Sequence, residues 1–88
     1  MTTIWKYPLE VKDRQTLVLP RDAKVISAGL DVSGQLCLWA VVVPERNRTK
    51  LGVLIVGTGN PFEDDDLWYF IDTVVMPPFV WHVFTREE

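Results

Sequence analysis

Apolar and polar side chains alternate with a period of two through most of this chain, and no stretch of ten or more residues carries a helical stripe with caps. A period of two sends successive side chains to opposite faces of an extended backbone, so the chain is built to fold as strands rather than helices. Enrichment in Val, Ile, Thr and aromatic residues points the same way. The segments are Thr3–Leu9, Gln15–Leu19, Lys24–Asp31, Gln35–Val43, Lys50–Val56, Trp68–Met76 and Phe79–Thr85. They predict a single all-β domain over residues 1–88, a small antiparallel sandwich or barrel of about seven strands. At most one short helical turn is expected, around Glu63–Leu67.

The punctuation between these runs suggests how they connect. Pro8 lacks a backbone donor and belongs on an edge strand or at a strand end. Ser33-Gly34 supplies the permissive residue of a tight hairpin between the third and fourth segments. In the first arm of that hairpin Ile26, Ala28 and Leu30 are expected on one face. Both faces of the second arm are apolar, as in a central strand covered on both sides or one whose outer face meets a partner. The charged stretch "PERNRT" reads as the turn of a second hairpin joining Gln35–Val43 to Lys50–Val56, and the prolines of "MPPF" as the turn of a third.

Composition narrows the class of function. A chain of 88 residues buries only about 60–65% of its unfolded surface, so most apolar side chains must serve one core. Cys37 is the single cysteine and makes no internal disulfide, which fits a reducing, cytoplasmic setting. No leader-like segment is evident, and no apolar run approaches the ~20 residues of a membrane helix. Asn47-Arg48-Thr49 matches a glycosylation sequon but reads as a polar turn. The net charge of −3 disfavours generic nucleic-acid binding, which depends on cations that neutralise phosphates. Four tryptophans exceed what so small an interior holds, so two are expected in the core and one or two at an interface, Trp68 foremost.

Several residue groups invite a chemical reading. Gly57-Thr58-Gly59-Asn60 has the glycines and hydroxyl of an anion-binding loop, yet it lacks the longer glycine pattern and following helix of the strong phosphate motifs. Turn geometry is its first explanation. Glu63-Asp64-Asp65-Asp66 cannot wrap a hard cation with adjacent carboxylates, and reads as a solvated loop or as a contact for a basic partner. Arg46, Arg48 and Lys50 alternate along one arm, where they protect an edge or hold a phosphorylated small ligand together with Thr58 and Asn60. His82 is the only histidine and reads as a half-buried structural residue. One Cys and one His do not make an intrachain zinc site, and Cys37 has no basic neighbour in its strand to activate it.

The segments "TIWKYPLEV" at the start, "CLWA" at Cys37–Ala40, "VGTGNP" at Val56–Pro61 and "VWHVF" at Val80–Phe84 resemble a family of short uncharacterised proteins encoded mainly by bacteriophages and prophages. The resemblance spans nearly the whole chain and implies a phage accessory protein at work in the host bacterial cytoplasm, with no known activity. Sequences of that family often carry His where this chain has Asn60, and the departure argues against a general base at that position. Together with the absence of a catalytic constellation, the expectation is a non-enzymatic binding protein. It would dock on a bacterial host protein as a counter-defence or host-takeover inhibitor, using Asp64, Asp65, Asp66 and Trp68, with no cofactor, metal or membrane. The alternatives are an oligomeric protein that sequesters a nucleotide-like signal with Thr58, Gly59, Asn60, Arg46 and Arg48, and a minor virion or assembly component. A homo-oligomer is expected, and in the first alternative the ligand would lie between subunits.

Overall fold

The computed structural model describes residues 1–65 and 67–88. These form seven strands: β1 (Thr3–Pro8), β2 (Arg14–Pro20), β3 (Lys24–Leu30), β4 (Leu36–Val42), β5 (Arg48–Gly57), β6 (Tyr69–Met76) and β7 (Phe79–Glu87). None of the described residues around Glu63–Leu67 is helical. The strands make two antiparallel sheets, one ordered β1-β4-β3 and the other β2-β5-β7-β6. The edges β3 and β6 approach, and the Ala28 amide donates to Asp72 Oδ2 at 3.4 Å, but no ladder joins them. The result is a sandwich rather than a closed barrel.

The alternation seen in the sequence becomes the core. Leu36, Leu38, Ala40 and Val42 lie on the inner face of β4 and meet Val53 and Ile55 of β5, Val83 of β7 and Val74 of β6. Each of these Leu, Ile and Val side chains, fully removed from water, contributes about 1.5–3 kcal/mol. Trp5 and Tyr7 from β1 and Trp81 from β7 pack against this cluster from its margins. None of the four tryptophans is fully buried.

The β3–β4 hairpin forms as its turn residues predict. Asp31 Oδ1 accepts from the Ser33 amide (2.8 Å), the Ser33 hydroxyl (2.7 Å) and the Gln35 amide (3.0 Å). Gly34 takes a φ of 84°, which a side-chain-bearing residue adopts only with strain. Lys6 Nζ donates to Asp31 Oδ2 at 2.8 Å, tying β1 to this turn. Lys6 and these donors hold the Asp31 carboxyl well below the usual carboxylate range.

Two local expectations are corrected. β4 and β5 do not form a hairpin, because β4 is already paired on both edges by β1 and β3. The chain from Val43 to Asn47 crosses between the sheets, and the Arg21 amide donates to Asn47 O at 2.7 Å to brace the crossing. Within β3 a bulge between Val25 and Ser27 shifts the register. A bulge adds one residue and so breaks the period of two. Ile26 is therefore 46% exposed, and Val25 packs against the core in its place.

Candidate functional site

β5 ends in the glycine turn. The Asn60 amide donates to Gly57 O at 3.0 Å and the Thr58 amide to Val80 O at 3.3 Å, while Gly59 takes a φ of 88°. Positive φ at the third position of a four-residue turn is why glycine stands there. Thr58 Oγ1 lies 2.7 Å from His82 Nε2, and Thr73 Oγ1 lies 2.9 Å from His82 Nδ1. A neutral imidazole presents one donor and one acceptor, and hydroxyls serve either. His82 thus pins the turn to β7 and β6 with both ring nitrogens engaged.

Cys37 occupies the outer face of the three-stranded sheet, opposite Pro8 and Gly29. His82 occupies the outer face of the other sheet, next to the inward Val83. Two packed layers, about 10 Å apart, separate them. Burial raises the Cys37 thiol, with Asp31 adding to the effect. Among the described residues no three His, Cys, Asp or Glu side chains converge to hold a metal ion.

After the glycine turn the chain runs over the outer face of the four-stranded sheet. Phe62 packs on Phe84 with ring centroids 5.4 Å apart, and Phe70 meets the same ring edge-on at 5.6 Å. Phe62 remains 43% exposed, Phe70 57% and Tyr69 72%. Glu63, Asp64 and Asp65 border this aromatic patch as exposed residues. Asp65 accepts from Arg86 Nη1 at 3.3 Å and from the Leu67 amide at 3.3 Å. Asp66 lies outside the described residues. Trp68 does not project as a free anchor: it is half-buried, with Arg86 4.3 Å and Arg14 5.3 Å from its ring. This aromatic group was not legible as a site, because Phe62, Phe70 and Phe84 come from three separate segments.

A cleft of about 370 Å³ opens at the end of β5. β2 begins at Arg14, paired with Leu54, so Ile55–Gly57 have no strand beside them on that side. The Ile55 amide reaches across, to Asp13 O at 3.0 Å. Lys12, Asp13 and Arg14 line one wall, Asn60 and Glu63 the other, with Trp81 between. A Cβ on Gly57 would stand 2.8 Å from Asn60 Nδ2 and 3.1 Å from Trp81 Cζ3, so glycine lets the turn seat against the indole. Nothing in the spacing of Lys12, Arg14 and Trp81 announces this cleft. It follows from where β2 stops along β5.

The arginine strip lies elsewhere. Arg46 Nη1 pairs with Asp22 Oδ2 at 2.7 Å. Arg48 Nη1 donates to Pro44 O at 3.0 Å and Arg46 O at 3.1 Å, and its guanidinium lies 5.6 Å from the Trp5 ring. Arg48 opens β5 and Gly57 closes it, which at ~3.3 Å per residue is roughly 30 Å of strand. One copy of the chain therefore brings Thr58, Gly59 and Asn60 together but keeps Arg46 and Arg48 far from them.

No curated protein and no solved structure matches the chain. A domain of unknown function, DUF7352, matches residues 1–88, and over that full span the chain belongs to this family.

Proposed function

We propose that this protein is a non-enzymatic phage accessory protein that docks on a basic surface of a bacterial host protein and blocks it by occlusion, as a counter-defence or host-takeover factor. The observation that carries the reading is the Phe62–Phe84–Phe70 cluster, which leaves two large rings exposed beside Glu63, Asp64 and Asp65. Interfaces concentrate binding energy in a few central aromatic anchors, while a charged rim sets approach and partner choice. Here the rings supply the anchor and the acidic stretch favours a cationic partner. The Asp65–Arg86 pair and the arginines around Trp68 brace that stretch against the sheet, which reduces the ordering lost on binding. The non-enzymatic reading rests on His82, with both nitrogens engaged, and on the buried Cys37 far from it. The resemblance to phage and prophage proteins favours a bacterial partner.

The test is affinity capture from bacterial lysate with the intact protein and with Phe70→Ser and Glu63→Gln. Phe70 is an exposed edge-strand residue, so circular dichroism should confirm that Phe70→Ser still folds. A specific host protein held by the parent, lost with Phe70→Ser and loaded more slowly with Glu63→Gln is the expected result. Capture unchanged by Phe70→Ser refutes the docking face.

A further inference from the structure

We propose that the cleft at the end of β5 binds a small molecule that joins a planar heteroaromatic ring bearing exocyclic amines to an anionic group, the chemistry of a nucleoside monophosphate. Its volume of about 370 Å³ lies near the lower end of the range for small-molecule sites. That suits one ring system with a sugar phosphate and is small for a dinucleotide. Trp81 supplies an aromatic wall, stiffened by Phe79, which stacks on it at 5.2 Å and 23°. Such a ring accepts any base by stacking.

The polar lining divides by charge. Lys12 and Arg14 are the cations, and Asp13 and Glu63 the carboxylates. A site built for a bare polyanion would not carry two carboxylates, and one built for a cation would not carry Lys and Arg. The balance fits an amphoteric ligand, with its phosphate toward Lys12 and Arg14 and its amines toward Asp13, Glu63 or the Asn60 amide. The cations are available for this. Arg14 makes no ion pair among the described residues and engages Trp68 only through its ring, and Lys12 holds the exposed Glu10 at 2.8 Å, a surface pair worth little. Trp81 Nε1 is buried without a hydrogen-bond partner among the described residues. Ile55, Val56 and Gly57, where β2 has ended, form the floor of the cleft as buried residues.

Phe62 and Glu63 border both this cleft and the docking face, but Phe70 does not line the cleft and Lys12 lies off the aromatic cluster, so Phe70→Ser and Lys12→Gln test the two readings separately. The test is calorimetric titration of the full chain with AMP, GMP, CMP and UMP, each also followed by tryptophan fluorescence. At least one should bind with a Kd below about 100 μM. Lys12→Gln, an exposed substitution, should weaken it at least about fivefold. Arg46→Gln, at the far end of β5, should leave it unchanged. Absence of binding by all four at millimolar concentration overturns the proposal. So does full affinity in Lys12→Gln, or displacement by inorganic phosphate as tight as the nucleotide, which would leave the ring without a role.

Discussion

Replacing Leu38 and Ile26 by alanine, one at a time, separates the alternation read from sequence from the register the sheet adopts. Leu38 is 0% exposed at the centre of β4. Its truncation removes three carbons at about 0.8 kcal/mol each, and the cavity left behind brings the usual range to about 2–5 kcal/mol. A loss of about 3 kcal/mol is a large part of the roughly 4–13 kcal/mol that 88 residues generally supply. At ~4–8 °C per kcal/mol for a domain this small, Tm should fall by about 12–24 °C. Ile26 would share the inner face with Ala28 if the period of two ran unbroken, and would then cost as much as Leu38. The bulge leaves it 46% exposed, so only about half the transfer energy is at stake and no closed cavity forms. Ile26→Ala should cost about 1 kcal/mol. Urea unfolding of both variants, with the midpoint compared at constant slope, decides the matter. Equal losses in the two variants would refute the bulge as the reason Ile26 faces out.

Acidification should weaken the fold through Asp31. The unfolded chain protonates this carboxyl near its ordinary value of 3.8 while the folded one, held by Lys6, Ser33 and Gln35, protonates well below it. Its contribution is therefore full above about pH 4 and is lost as pH falls further. Urea midpoints between pH 2 and 6 should drop toward the acid side, with a shallower drop in Asp31→Asn. Gly59→Ala should destabilise by about 1 kcal/mol, because a φ of 88° suits glycine alone, and Gly59→Asn should cost less; chemical unfolding reads both. Gly57→Ala must displace Asn60 Nδ2 from 2.8 Å and crowd Trp81, so its indole emission should shift and nucleotide affinity should fall in the calorimeter.

Phe62, Phe84, Lys12 and Trp81 show where sequence reasoning stops. Alternation and turn residues were enough to place seven strands, the Ser33-Gly34 hairpin, the edge position of Pro8 and the centrality of β4, because these depend on local backbone geometry and on burying one face of each strand. The glycine turn and its held histidine were visible as residue types, though not as partners. What required the tertiary structure were the facts set by strand order. With both edges of β4 occupied, β5 was forced into the second sheet, and its length then carried Arg48 and Thr58 to opposite ends. The early stop of β2 opened the cleft, and the crossing of residues 60–65 over the outer face assembled rings distant in sequence. The sequence by itself determined that this chain is all-β with a single core, and left sandwich or barrel open. Only the tertiary structure decided which exposed residues stand together, because neighbours across a sheet are chosen by pairing and register rather than by distance along the chain.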